Sequence, residues 1–220
     1  MIQKPALTLI GIYLAVFMAA LPAKAEMAVS IYGGFQSAPH SEVEVSDEPD
    51  FTAGWEGKSF SMPPYYGARA TWWLEDFGRP NLGLSIDYTH AKVYADDETL
   101  AESGWDHFEF TDGINLLTVN ALYRFPIEGS RFVPYVGAGA GVNIPHVEVT
   151  RNGNETSEYQ IGGPTIQTQA GVAYRFTDAW SAFVEYKGNY SWVDAEIDSG
   201  ATLKTRILTN AVNAGLTYSW

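Results

Sequence analysis

The four histidines, His40, His90, His107 and His146, are the residues best suited to chemistry in this chain, and each but His90 has acidic neighbours close in sequence. Glu42 lies near His40, Asp106 and Glu109 flank His107, and Glu148 follows His146. The densest stretch is "GWDHFEFTDG", residues 104–113, where His107 stands with Asp106, Glu109 and Asp112 and with the rings of Trp105 and Phe108 interleaved. Imidazole with carboxylate suits Fe, Mn, Cu or Zn, and a histidine can act instead as a general base. Hard oxygen ligands such as Asp97, Glu98 and Asp106 suit Ca²⁺ or Mg²⁺, although the same acidic surface also serves simply as a solvated rim.

These residues must be carried by strands. In "TNAVNAGLTYSW" Val212, Ala214, Leu216, Tyr218 and Trp220 fall on one face, with Ala211, Asn213, Gly215, Thr217 and Ser219 on the other. The same period of two runs through "NLGLSIDYTH", "LLTVNALYRF" and "TIQTQAGVAYRF", and more weakly through about 27–38, 65–74, 132–145 and 180–190. Eight such segments predict an all-β fold: an eight-stranded antiparallel up-and-down transmembrane β-barrel over 26–220. The connections alternate in length. "EDFGRPN", "PIEGSR" and "TDA" are tight, whereas about 40–63, 94–112, 146–160 and 191–205 are long, an arrangement that puts both termini in the periplasm of an outer-membrane barrel. Trp72, Trp73, Tyr123, Phe125, Phe132, Tyr174, Phe176, Trp180, Tyr218 and Trp220 fall near the short-turn ends as an interfacial girdle. Residues 1–25, with the apolar run "ALTLIGIYLAVFMAAL" and then "PAKA", read as a secretory signal peptide cleaved before Glu26.

Composition narrows the partners. With 13 basic against 26 acidic residues the chain carries −13, which argues against nucleic acid, and without cysteine it has no disulfide or thiolate chemistry. The glycines of "PYVGAGAGVN", Gly137, Gly139 and Gly141, lack the spacing and following helix of a nucleotide loop; they read as wall positions that make room for bulky neighbours. Neither a nicotinamide nor a flavin site is visible. Arg69, Asp87, Asn120, Arg124, Gln167, Gln169, Arg175, Glu185 and Lys187 fall on the interior faces, as a mutually paired plug or as a proton relay.

The stretches "FTAGWEGKSFSMPPYYGARATWW", "GLSIDYTHAKVYADDETL", "FEFTDGINLLTVNALYRFP", "PYVGAGAGVNIPHVEVT" and "FVEYKGNYSWVDAEI" together resemble the rhizobial outer-membrane lipid A oxidases, in similar order across nearly the whole chain after the leader. That resemblance implies oxidation of the proximal glucosamine of lipid A to 2-aminogluconate, with dioxygen as acceptor and hydrogen peroxide as product. The partners it implies are lipid A or lipopolysaccharide, the outer-membrane bilayer and dioxygen; the cofactor is unknown, with a divalent metal ion as the candidate. For such a reaction His90, His107 or His146 could serve as base or ligand, and Asp106, Glu109 or Asp112 as carboxylate ligands to a metal shared with His107. Lys58, Tyr65 and Trp105 could hold the sugar and its acyl or phosphate groups. The competing expectation is a non-enzymatic OmpA-like barrel that stabilises the membrane or presents loops.

Overall fold

A computed structural model of the chain describes residues 26–46, 48–110, 112–197 and 200–220; the expected signal segment, 1–25, lies outside the described residues. In chain order the elements are β1 (Met27–Ser37), β2 (Ser41–Val45), β3 (Phe51–Ala53), β4 (Trp55–Glu56), β5 (Tyr66–Leu74), β6 (Arg79–His90), β7 (Val93–Ala95), α1 (Asp97–Ser103), β8 (His107–Phe110), β9 (Ile114–Arg124), β10 (Phe132–Arg151), β11 (Asn154–Tyr159), β12 (Gly163–Arg175), β13 (Trp180–Glu196) and β14 (Thr202–Ser219). Eight of them pair antiparallel in a closed ring, β1–β5–β6–β9–β10–β12–β13–β14 and back to β1. The predicted eight-stranded barrel is therefore the fold.

Side-chain alternation sorts the wall. Ile31, Ile86, Val119, Val184 and Val212 point outward and are exposed, while Ser85, Thr118, Gln167, Asn189 and Asn213 point inward and are buried. The glycines of β10 make room, as expected: a Cβ on Gly141 would lie 1.9 Å from the Leu117 carbonyl oxygen of β9. Gly141→Ala is accordingly expected to force the two strands apart at a cost of about 1–3 kcal/mol, read as a lower urea midpoint in vesicles.

The interior is filled by a charged network. Arg69 donates from Nε to Asp87 at 2.8 Å and from Nη2 to Glu185 at 2.7 Å, and Lys187 donates to Asp87 at 2.8 Å. Tyr32 and Tyr135 add hydroxyl donors to Asp87 and Glu185 at 2.6 and 2.8 Å. Two cations meet two anions, so the buried charges compensate one another. Two expected members face the interior but lie outside this network, lining the cavity at the short-turn mouth: Arg124 forks onto Glu26 at 2.8 and 2.7 Å, and Arg175 is exposed there. Trp73 also departs from the expected girdle, because its ring lies beneath the Arg124 guanidinium at 4.2 Å and lines the interior cavity at that mouth.

The long connections carry several strands and one helix, which corrects the expected segment bounds. β10, β13 and β14 run on past the wall, and β2, β3, β4, β7, β8 and β11 pair onto them or onto one another. In this upper storey the polarity of the alternation reverses. Along β10 the outward residues Val136 and Val142 give way to His146 and Glu148, and the inward Asn143 gives way to Val147 and Val149. Along β14 the outward Val212 and Leu208 give way to Arg206 and Lys204, and the inward Asn213 to Ile207 and Leu203. A wall with apolar outside and polar inside is built for lipid; the reverse is built for water. The inversion therefore marks the height at which the membrane ends. Above it Val43, Val93, Phe108, Phe110, Ile114, Val147, Val149, Val193, Leu203 and Ile207 form an ordinary apolar core.

Helix α1 was not expected. Asp96 caps it by accepting from the Thr99 N–H at 2.8 Å, hydrogen bonds from the Thr99 hydroxyl and then its N–H hold the Asp96 carboxyl below its ordinary value, and Gly104 ends the helix at φ 74°. Asp97 and Glu98 sit in its first turn, where carboxylates are favoured by the exposed N–H groups. That placement accounts for them without a cation.

Candidate functional site

The sheet β4–β7–β8–β10–β11 continues the wall above the inversion. One face packs Trp55, Val93, Phe108, Phe110, Val147 and Val149 into the upper core. The other face looks sideways out of the barrel and carries nearly all the chemistry.

Register builds the centre of that face. Glu109 on β8 stands opposite Glu148 on β10, and His107 opposite Thr150, so His107, Glu109 and Glu148 share one face within two residues of each other. The His107 Nε2 lies 3.0 Å from Glu109 Oε1 and 3.9 Å from Glu148 Oε1, and their ligand atoms all fall within 4.8 Å of one another. Nε2 is buried and makes no hydrogen bond among the described residues. Two carboxylates directly opposite on neighbouring strands repel unless a cation or proton stands between them. One imidazole and two carboxylates around one point form a donor set suited to a divalent transition ion, with Nε2 facing both carboxylates.

A column descends from this group. Glu148 Oε2 is 3.8 Å from His146 Nδ1, and Asp112 Oδ2 is 4.0 Å from the same nitrogen. His146 packs against the Tyr159 ring at 4.5 Å. Lower still, Asn115 donates from Nδ2 to the carbonyls of Asp112, Gly113 and Ile144, which fixes its Oδ1 toward Tyr88 and His90. Tyr88 donates to that oxygen at 2.5 Å and His90 Nδ1 is 3.1 Å from it. The His90 ring, 4% exposed, stacks on Tyr66 and packs against Gly113, whose φ of 97° and proximity to the ring leave no room for a Cβ.

The expected site residues divide accordingly. His107 and Glu109 meet, Asp112 joins His146 one step lower, and His90 is a buried tie between β6 and β9. Asp106 is exposed and outside the group, because it precedes β8 with the opposite parity. Tyr65 is buried and faces the lumen, two positions from Gly67 on the inward parity of β5, and Trp105 is buried edge-on to Phe108 in the upper core. Neither can reach a ligand on the lateral face. Lys58 does lie on it, 3.0 Å from Glu56 and over the Tyr94 ring at 4.5 Å. His40 is exposed and apart.

Sequence reasoning missed Glu148 as the third member of the group, along with Asn115 and Lys92. Lys92 is wholly buried, donates to the Ser61 carbonyl at 2.6 Å and to the Tyr94 hydroxyl at 3.3 Å, and has no carboxylate partner within 4 Å among the described residues. Burial pushes its ammonium below the ordinary lysine range, against the opposing pull of Glu109. The signals for these residues lay in cross-strand pairing, which joins positions about forty apart in the chain.

The chain is similar to several solved structures. Outer membrane protein AlkL, determined in DMPC bilayers, is 12% identical over 91% of this chain and 95% of that one, with a TM-score of 0.54. Neisserial surface protein A is 16% identical over 89% and 97%, with a TM-score of 0.49, and the N-terminal β-barrel domain of Pseudomonas aeruginosa OprF is 15% identical over 90% and 100%, at 0.44. Identities this low speak to fold alone. No curated protein sequence matches the chain. The family model described as "Outer membrane protein beta-barrel domain" matches residues 11–219, and the chain belongs to that family of outer-membrane barrels.

Proposed function

We propose that the protein is an outer-membrane lipid A oxidase, converting the proximal glucosamine to 2-aminogluconate on the lateral face of the barrel, with both termini in the periplasm. The observation that carries this reading is the position of the His107–Glu109–Glu148 group and the His146 column: outward, just above the height where the wall stops being apolar. A lipid whose acyl chains lie against Ile86, Val119 and Val142 presents its sugar at that height. The resemblance of the chain to the rhizobial oxidases supplies the reaction.

The chemistry is a two-electron oxidation. The C1 hydroxyl loses its proton and the C1–H bond breaks; two electrons and two protons reach dioxygen, hydrogen peroxide leaves, and water opens the resulting lactone to the acid. His107, Glu109 and Glu148 would hold a divalent ion, which when bound supplies Lewis-acid or redox chemistry. His146, between Asp112 and Glu148, is placed to take the hydroxyl proton, and its neighbouring carboxylates stabilise the imidazolium that forms. Lys58 offers a point charge to a phosphate at the far end of the same face.

The test is the mass of lipid A with a free C1 hydroxyl on its proximal glucosamine, incubated in vesicles with the purified barrel and air. A gain of one oxygen with equimolar hydrogen peroxide is expected, lost on chelation and restored by a divalent transition ion. An unchanged lipid mass would leave the non-enzymatic barrel as the reading, and turnover undiminished after thorough chelation would remove the metal from it.

A further inference from the structure

At the inversion and above it the outward side chains are mostly polar, and among the described residues Phe60, 78% exposed, Met62, 83% exposed, and Ile161, 76% exposed, are the most exposed of the apolar exceptions, which also include Tyr159 and Trp192. Phe60 and Met62 stand in the 57–64 connection, on one side of the histidine column. Ile161 stands beyond Tyr159, on the other, where Gln160 and Gly162 are tied by their N–H groups to the Pro145 and Asn143 carbonyls of β10.

The 57–64 connection is a built part of the wall. β5 pairs with β1 only as far as Tyr66 opposite Gly33, and with β6 only as far as Tyr66 opposite His90, so above Tyr66 a seam opens between β1 and β6. The connection fills it. Ser59 Oγ accepts from the Gln36 N–H at 2.8 Å and donates to the Gln36 carbonyl at 3.2 Å, Tyr65 N–H donates to the Ser59 carbonyl at 2.8 Å, and Lys92 Nζ donates to the Ser61 carbonyl at 2.6 Å. Gly57 passes so close to β1 that a Cβ there would lie 2.4 Å from the Gln36 carbonyl oxygen. With Ser59 and Tyr65 buried inward, Phe60 and Met62 are held outward, and a groove bounded by Phe60, Lys58 and the lipid-facing Phe35 runs between connection and wall.

We infer that these are two apolar lobes that enter the outer-leaflet acyl region on either side of the histidine column, and that their occupant is the acyl chain of a membrane lipid. Three observations favour lipid over a protein partner. The groove is continuous with the lipid-facing surface at Phe35; the lobes sit directly at the height of the inversion; and the aromatic residues beside them, Tyr66 on one side and Tyr159 on the other, are the outward type found where a bilayer meets water. A lipid gripped between the lobes lays its headgroup across the column. The inference requires only that the barrel spans the membrane, and so stands or falls separately from the oxidase reading.

The cysteine-free chain makes the test direct. Phe60→Cys, Met62→Cys and Ile161→Cys, each carrying a nitroxide, are reconstituted in phosphatidylcholine vesicles, beside Val119→Cys on the lipid-facing wall and Glu155→Cys in β11 at the upper end, with heat-shifted mobility on gels confirming that each is folded. Collision rates with oxygen and with a water-soluble nickel chelate then report depth. The three labels are expected to resemble Val119 rather than Glu155, with high oxygen and low nickel collision. A label at 60, 62 or 161 that collides with nickel as often as the one at 155 overturns the inference for two lobes, whatever the protein does to lipid A.

Discussion

His107→Ala is expected to fold and insert as the parent does and to lose 2-aminogluconate formation by about 10²- to 10⁴-fold, the usual cost of removing a base or ligand at a reacting centre. Its side chain is 40% exposed and contributes no core packing, so its loss from the surface of β8 should change stability by no more than about 0.5 kcal/mol. What it leaves is Glu109 facing Glu148 without the imidazole between them. Glu148→Gln probes the same centre from the opposite strand: it keeps the shape, removes one charge, and weakens a divalent ion's hold from three ligand groups to two charged or imidazole ones. Both variants should therefore respond in part to excess metal, and an active-site role confined to His146 would leave them indifferent to it. Oxidation of lipid A by His107→Ala at the parent rate, with heat-shifted mobility intact, would remove the group from the mechanism and make His90 and His146 the next pair to substitute.

The barrel was legible because a wall strand has to satisfy two solvents at once, and that requirement writes itself into every second residue. Leu82, Leu84 and Ile86 against Gly83, Ser85 and Asp87 admit one arrangement in a membrane. The upper storey obeys the same period with its polarity reversed, and "HVEV" in β10 and "TLKT" in β14 therefore fall within the expected long connections. Alternation gives the faces of a strand but not which face meets lipid, and the switch is visible only once the strand is known to continue. The candidate site shows the same division. His107 and Glu109, two apart in one strand, could be placed together from sequence, because residues i and i+2 share a face. Glu148 could not, because its place opposite Glu109 depends on the β8–β10 register, a non-local pairing fixed by the packing of Phe108 and Val149 in the core behind. Trp105 is misplaced for the converse reason: it lies in a segment whose composition reads as loop, yet is drawn into an apolar core that no local pattern announces, whereas Tyr65 opens the expected 65–74 strand on the parity of Arg69, which already turns it to the lumen.

Arg69→Leu is expected to lower the stability of the barrel by about 3–5 kcal/mol, because it removes one partner from a buried pair and leaves the carboxylates it served without compensation. Arg69 contacts Asp87, Gln169 and both oxygens of Glu185 at 2.7–3.0 Å, and all four residues are buried inside the wall. With it gone, Lys187, 2.8 Å from Asp87 and 3.7 Å from Glu185, is the single cation left for two carboxylates. Arg69→Lys should recover only part of the loss, since an ammonium brings the charge but not the planar fork that reaches Asp87 and Glu185 together. The decisive variant is Arg69→Leu combined with Glu185→Gln, in which the interior returns to one cation and one anion, still joined as Lys187 and Asp87. If uncompensated charge is what destabilises Arg69→Leu, the double variant must be more stable than the single one, in urea unfolding from vesicles at neutral pH. A double variant less stable than Arg69→Leu alone would mean that the guanidinium matters through packing and hydrogen bonds to the wall, and that charge balance is not what holds the lumen closed.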